Sequence, residues 1–446
     1  MTWRRIILIA LAAIVVVGAG AFAWIALGPG PMDFAGGRKV ALQAYKGASP
    51  TGVPADFASA DPIARGKYLT QAADCQACHT AKGGTPFAGS LPFKLPFGTI
   101  WSPNITPDRQ TGIGAWTDAQ FIRAVREGIG PKAHLYPVMP YASFTYMTDA
   151  DVLAIRAYLA TLPPVHLQRP ALTFSFPFNQ RPLMSVWGAL FNPDRRFEPH
   201  ADRSPAWNRG AYLAEAMGHC GECHTPRNLG QALDNRRKYA GAVAAGWRAF
   251  NLTSDRATGV GGWRDADLAQ YLSQGYAPGH GTAAGPMGEA VDLSLSHLTP
   301  SDIAALVTYL RSIPAISTPE QPHPVTRPAP PTHRLAVADQ AAPLGKKIFE
   351  GACIGCHAWS GHGSLTDLAT LTGARAVNDP TATNVAQVVI SGASRRTAQG
   401  PSIMPAFGHA YSDAEIAAVA NYVTARFGAR PSRVTPKQVT ALRKAS

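Results

Sequence analysis

The chain has 446 residues, 46% hydrophobic and 15% charged, and its 41 Lys and Arg against 28 Asp and Glu give a formal charge of +13. That length suggests about three domains at ~100–200 residues each, and the apolar content is ordinary for globular domains. The basic residues are scattered, with no basic helix or aromatic-interleaved patch, so the charge does not read as nucleic-acid binding; an acidic partner or anionic lipid fits it.

The chain opens with Trp3-Arg4-Arg5 and an apolar run from Ile6 to Leu27, closed by Gly28-Pro29-Gly30-Pro31. The run is long enough to span a bilayer as a helix, and the two arginines place its start in the cytoplasm. Residues 1–30 read as a transmembrane anchor. A cleaved secretion signal is the alternative, because Ala21-Phe22-Ala23 resembles a cleavage site. Either way the rest of the chain is exported, which in a bacterium means the periplasmic face of the inner membrane. Residues 31–55, rich in Gly, Ala and Pro, read as a spacer.

A first domain is expected over 56–170. Asp61-Pro62 is a helix start, an N-cap followed by proline at the first helical position. Gly66-Lys67-Tyr68-Leu69 leads into Cys75-Gln76-Ala77-Cys78-His79. Downstream come Asn104-Ile105-Thr106-Pro107-Asp108-Arg109, then Thr111-Gly112-Ile113-Gly114-Ala115-Trp116. Such glycine-rich turns suit close approach to a flat cofactor. Trp116, like Trp263 at the matching position of the second repeat, reads either as a donor to an acidic group of that cofactor or as an ordinary core or rim aromatic. Thr148 and Asp151 make a capping-box-like start to a closing helix whose apolar face is Val152, Ile155, Leu159 and Leu162.

The apolar connector over 171–200 contains Phe174–Phe191. It is expected to pack between domains, with a membrane or partner contact as the alternative. The pattern then repeats over 201–317: Ser204-Pro205, Gly210-Ala211-Tyr212-Leu213, Cys220-Gly221-Glu222-Cys223-His224, Asn251-Leu252-Thr253-Ser254-Asp255-Arg256, a Gly-rich turn ending at Trp263, and a closing helix from Thr299. Residues 318–340 are a Pro-rich, semi-rigid linker expected to let the third domain sit apart. The third domain, 341–430, has Gly345-Lys346-Lys347-Ile348-Phe349, Cys353-Ile354-Gly355-Cys356-His357 and a closing helix from Ser412 and Glu415. The basic tail, 431–446, is expected to be loose or to serve as a docking strap.

The three C-x-x-C-H runs consume every cysteine in the chain. This spacing is that of c-type haem attachment. Two thiols reach the two vinyl groups on one porphyrin edge, and the adjacent His sits under the iron. Half a zinc site would want a second ligand pair, and a thioredoxin-like pair would want a βαβ setting. The reading is therefore three covalently bound haem c groups, attached at Cys75 and Cys78, Cys220 and Cys223, and Cys353 and Cys356, with proximal His79, His224 and His357. Their propionates offset about six of the apoprotein's positive charges. A methionine recurs before each closing helix: Met139 in Tyr136-Pro137-Val138-Met139-Pro140-Tyr141, Met287 in Gly285-Pro286-Met287-Gly288, and Met404 in Ile403-Met404-Pro405. A thioether in the sixth position raises the potential and closes the iron to substrates. Met147, His134, His280 and His409 are the reserve ligands, and Met217 stands too near Cys220 to reach the far face.

Helix, attachment turn, irregular loops, methionine and closing helix resemble the class I cytochrome c fold. The resemblance implies an all-α chain of three tandem class I cytochrome c domains behind a transmembrane helix. It also implies helix crossings of Gly66 near Tyr158, Gly210 near Tyr309 and Gly345 near Tyr422. The exported part resembles the tri-haem cytochrome c subunit of bacterial membrane-bound dehydrogenases, on Asn104–Asp108, Tyr136–Tyr141 and His219-Cys220-Gly221-Glu222-Cys223-His224-Thr225-Pro226-Arg227-Asn228. That family implies electron transfer from a molybdopterin, quinone or flavin catalytic subunit, from haem to haem, to ubiquinone in the membrane. The chain would be no enzyme by itself. Phe174–Phe191, Gly279–Thr282 and the anchor resemble the cytochromes that accompany molybdenum aldehyde dehydrogenases. Partners with a quinone-dependent alcohol dehydrogenase or a flavin-dependent sugar or gluconate dehydrogenase are the alternative. A haem peroxidase and a terminal-oxidase cytochrome subunit are the other classes. The match is weakest after His357, over Gly373–Thr397.

Overall fold

The structure is a computed structural model and describes residues 3–27, 54, 57, 61–318, 339, 342–397 and 400–445. Most of the expected spacer and Pro-rich linker lies outside the described residues. Helix α1, Trp3–Leu27, is a single apolar helix whose Trp3–Gly20 window has a mean hydropathy of 1.9.

Repeat one contains α2 (Pro62–Ala72), α3 (Asp118–Glu127) and the closing helix α4 (Asp149–Leu159). The connector forms α5, Leu183–Phe191. Repeat two contains α6 (Pro205–Tyr212), α7 (Asp265–Gln274), α8 (Gly285–Leu293) and the closing helix α9 (Pro300–Ser312). Repeat three contains α10 (Pro343–Ala352), α11 (Thr383–Ser391) and the closing helix α12 (Asp413–Phe427), followed by α13 (Pro436–Ala445). The all-α expectation needs amending. Among the described residues four two-stranded antiparallel hairpins join the helices: β1–β2 (92–95, 98–101), β3–β4 (242–244, 247–249), β5–β6 (276–277, 281–282) and β7–β8 (393–397, 400–404). Chain reversals between helices carry backbone N–H and C=O groups, and pairing satisfies them.

In each repeat the first helix crosses the closing helix at a glycine. A Cβ on Gly210 would overlap the carbonyl oxygen of Ala305 and come 2.8 Å from Tyr309 Cβ. Gly66 meets Ala154 and Tyr158 in the same way, and Gly345 meets Ala418 and Tyr422, as the resemblance implied. The first helix then reaches its attachment turn by different routes. From crossing glycine to first cysteine, 66 to 75, 210 to 220 and 345 to 353, the spacing is 9, 10 and 8 positions. Repeat two absorbs its longer spacing in a π-helical turn, Leu213–Met217, where Gly218 N–H donates to Leu213 O at 2.6 Å. The turn puts Glu215 in the interior, where it accepts from Tyr239 Oη at 2.7 Å and Tyr309 Oη at 2.5 Å.

Repeats one and two share one apolar core, running from Tyr68 and Leu69 through Phe144 and Met147 to Tyr212 and Leu310. They are also tied reciprocally. Tyr68 Oη donates to Asp302 Oδ2 at 2.5 Å, and Tyr212 Oη donates to Asp151 Oδ2 at 2.6 Å. Each carboxylate also pairs with an arginine, Arg209 on Asp302 at 2.7 Å and Arg65 on Asp151 at 2.5 Å. Asp151 and Asp302 therefore do not close capping boxes of their own helices. They take only the N-cap bond through their backbone N–H, whereas Ser412 and Glu415 form the full box.

The connector packs between the repeats on one side only. Trp187 lies edge-on to Tyr141 and donates Nε1 to Gly230 O at 2.8 Å. Leu183, Val186 and Leu190, with Phe176 and Phe178, stay exposed, and α5 touches α1.

Two expectations are corrected. Repeat three does not sit apart: its Arg395, 3% exposed, reaches Asp292 of repeat two at 2.8 Å, and Asn384 pairs with the Arg248 backbone in both directions. A buried arginine needs acceptors, and the second repeat supplies them. The tail is not loose. Val439 of α13 is fully buried, and Arg443 pairs with Asp413 at 2.5 Å.

Gly210→Val should cost about 3 kcal/mol by overpacking the helix crossing, whereas Gly351→Ala, with open space around it, should be neutral or slightly stabilising. Unfolding midpoints of the two variants would be compared, and equal midpoints would refute the close crossing. Asp302→Ala should cost about 3 kcal/mol or more because it breaks a buried ion pair by removing the carboxylate from Arg209. Asp265→Ala, at the exposed Arg311 pair, should cost less than about 1 kcal/mol. Denaturant titration separates the two.

Candidate haem-attachment sites

Each C-x-x-C-H run occupies one tight helical turn directly after the first helix of its repeat: Cys75–Cys78, Gly221–His224 and Ile354–His357. The turn brings the two cysteines to one side and the His to its end. In repeat one Asp74, in left-handed backbone at φ 50°, makes the sharp entry.

The three histidines share one arrangement. His79 Nδ1 donates to Pro103 O at 2.8 Å, His224 Nδ1 to Phe250 O at 2.6 Å, and His357 Nδ1 to Ala369 O at 2.5 Å. A carbonyl only accepts, so it fixes the proton on Nδ1 and leaves Nε2 with its lone pair for an iron. Burial lowers the pKa of all three rings, His224 to about 4, so they are neutral at physiological pH. Neutral imidazole is the ligand form.

The six cysteines form no disulfide. Desolvation pushes Cys75, Cys78 and Cys220 up to about 12 and Cys353 to about 11. Zinc binding and thiol–disulfide exchange use thiolates and lower these values. Among the described residues no three His, Cys, Asp or Glu side chains gather as a metal-ion site. Neutral thiols beside a neutral, oriented imidazole fit covalent haem c.

The three methionines fall at one register. A left-handed glycine ends the helix before each of them: Gly128 (φ 66°), Gly275 (φ 68°) and Gly392 (φ 71°). Met139, Met287 and Met404 follow by 11, 12 and 12 positions. Their local structures differ. Met139 sits in a turn closed by Tyr141 N–H donating to Met139 O at 2.8 Å, Met287 in the first turn of α8, and Met404 at the end of β8. All three are half-buried. Met147 and Met217 are fully buried in the shared core, where they fill space.

The repeated Asn and Gly motifs have a different use from the expected one. Asn104 Nδ2 donates to Val165 O and Asn251 Nδ2 to Ile316 O, both at 2.7 Å, so each clamps the segment after the closing helix onto the loop. A Cβ on Gly112 or Gly259 would strike a carbonyl oxygen of its own turn, Thr106 or Thr253, so these glycines serve the turn itself. Trp116 is half-buried, whereas Trp263 is buried and stacks on His280 with ring centroids 3.6 Å apart.

Sequence reasoning missed the carbonyls of Pro103, Phe250 and Ala369. The first two immediately precede the Asn motif and were findable from that position; Ala369 has no such marker. It also missed Arg169, which donates to Trp101 O at 3.0 Å and whose charge acts on His79.

Comparison with known proteins places these features. The family pattern described as Cytochrome c matches residues 63–163, 208–314 and 342–426. The chain is 40% identical over 377 residues to a nicotinate dehydrogenase subunit of Pseudomonas putida, covering 83% of this chain but 31% of that longer protein. It is 36% identical over 418 residues to the fructose dehydrogenase cytochrome subunit of Gluconobacter japonicus, covering 89% of this chain and 85% of the relative. It is 36% identical over 400 residues to the gluconate 2-dehydrogenase cytochrome c subunit of Pantoea cypripedii, covering 86% and 89%. With three oriented attachment turns and near full-length similarity to such subunits, the chain belongs to the cytochrome c family, in the group that includes dehydrogenase cytochrome subunits.

Proposed function

We propose that this chain is the electron-transfer subunit of a dehydrogenase complex at the periplasmic face of the inner membrane. It takes electrons from a catalytic subunit and delivers them to ubiquinone. In this reading it carries three haem c groups, one for each attachment turn, with Met139, Met287 and Met404 as distal ligands. The observation that carries it is the threefold recurrence of a His with Nδ1 committed to a backbone carbonyl beside a C-x-x-C pair. Haem c supplies a one-electron iron couple when bound.

The chain's residues set the conditions for that couple. The carbonyl bonds hold each imidazole in one tautomer and orientation. As ligands, the methionine sulfurs would favour the reduced iron and would close it to substrate. Ubiquinone takes up two electrons and two protons to become ubiquinol, and the two electrons come from one substrate oxidised on the catalytic subunit. The membrane contact is supported by α1 and by the exposed apolar face of α5 beside it. That face suits the bilayer interface.

For the catalytic partner, a molybdenum aldehyde dehydrogenase is the first choice, on the resemblance of Phe174–Phe191 and Gly279–Thr282. A flavin-dependent sugar or gluconate dehydrogenase, or a quinone-dependent alcohol dehydrogenase, is the second. It is favoured by the names of relatives that match nearly end to end. Purification of the native complex decides between them by the cofactor of the companion subunit, and a copper–haem oxidase in its place would overturn the function.

Replacing Cys220 and Cys223 together by Ala should lower covalent haem from three to two per polypeptide, measured by alkaline pyridine spectra. An unchanged ratio would refute the attachment assignment. Met139→Ala should lower one reduction potential and let the reduced protein bind carbon monoxide. Three unmoved potentials with no new carbon monoxide spectrum would remove Met139 as a ligand.

A further inference from the structure

We propose that Arg375, although it belongs to repeat three, is part of the haem pocket of repeat two and binds a propionate of that haem, with the indole N–H of Trp263 as its neighbour. This rests on the reading of three attached haems given above.

Arg375 opens the short helix Arg375–Asn378 of repeat three, but its side chain is buried against repeat two and only 7% exposed. One terminal nitrogen donates to Thr258 O and the other lies 3.5 Å from Asn251 O. The guanidinium stands 4.7 Å over the ring of Phe250, the residue whose carbonyl holds His224. Its backbone N–H donates to His280 O at 3.0 Å, and His280 stacks on Trp263.

Two donors in this neighbourhood are buried with no acceptor: Arg375 Nε and Trp263 Nε1. The charges of Asp379 and Asp255 act on Arg375, but among the described residues neither carboxylate is hydrogen-bonded or ion-paired to it; Asp379 pairs with Arg248. A buried guanidinium held only by neutral carbonyls is costly, and so is each unpaired buried N–H. A carboxylate offsets both costs, because its two oxygens accept from a guanidinium and an indole together. Haem c carries two such groups, on the edge away from its thioether links. Burial lowers Arg375 to about 10, which leaves it charged at neutral pH, and its charge disfavours protonation of the His224 ring. Repeat one has a comparable cation in Arg169, but that one comes from the segment after its own closing helix.

Arg375 is thus a binding and positioning residue through which repeat three acts on the second iron. Removing the cation leaves the propionate's negative charge uncompensated and disfavours the reduced state. The test uses the full-length protein with Arg375→Gln, Arg375→Lys and Trp263→Phe, each checked first for three haems per polypeptide. Potentiometric titration should show one midpoint shifted down in Arg375→Gln and largely restored in Arg375→Lys. Trp263→Phe should shift the same midpoint, which keeps the proposal testable if Arg375→Gln fails to assemble. The shifted midpoint should be the one missing from the Cys220→Ala, Cys223→Ala protein. Three haems with all midpoints unmoved, even if stability falls, would reduce Arg375 to a stitch between repeats and overturn the proposal. So would a shifted midpoint that survives in the protein lacking the second attachment. A parent protein with fewer than three haems would instead refute the functional reading on which the proposal rests.

Discussion

At Gly66, Gly210 and Gly345 the first helix of each repeat lies against the backbone of its closing helix, and the rest of the repeat hangs between those two helices. Any side chain there would force the helices apart, because packed interiors do not yield by the width of a methyl group. The crossing places the end of the first helix, and so the attachment turn that follows it, at a constant position relative to the loops that return toward the closing helix. The spacing from glycine to cysteine varies, yet the turn arrives. Repeat two needs a π-helical turn to achieve this, and it uses the displaced Glu215 to anchor Tyr309 of the closing helix.

The electrostatics of the attachment turns follow from that framework. Burial disfavours charge on the three imidazoles and on Cys75, Cys78, Cys220, Cys223 and Cys353, and one backbone carbonyl per repeat orients each ring. A low-polarity setting with one committed ring nitrogen suits a metal–porphyrin ligand and is poorly suited to acid–base or thiolate chemistry.

The three repeats are not equal beads on a string. The first two share a core and exchange Tyr–Asp bonds, Tyr68 to Asp302 and Tyr212 to Asp151, so that each caps the other's closing helix. The third keeps its own core and meets the second through polar contacts, with Arg375 and Arg395 buried across the boundary. Apolar fusion makes a permanent unit. A boundary held by buried cations instead ties the charge of one repeat to the interior of its neighbour.

Cysteine spacing, the N-terminal apolar run, the N-caps at Asp61 and Ser204, and the closing-helix faces were legible in the sequence because each is a local property, set by neighbours within about one helical turn. The glycine crossings were legible only through the family resemblance, since nothing near Gly210 marks Ala305 as its contact. The docking of repeat three, the burial of Val439 in the C-terminal helix and the position of Arg375 over Phe250 were not legible. They join residues far apart in the chain: Arg375 meets Thr258, 117 positions away. Such contacts are selected by which buried donors find acceptors once the repeats come together. The sequence by itself determined what each repeat can hold. Only the tertiary structure decided which repeats touch and which charges they share, because burial of a polar group depends on what covers it.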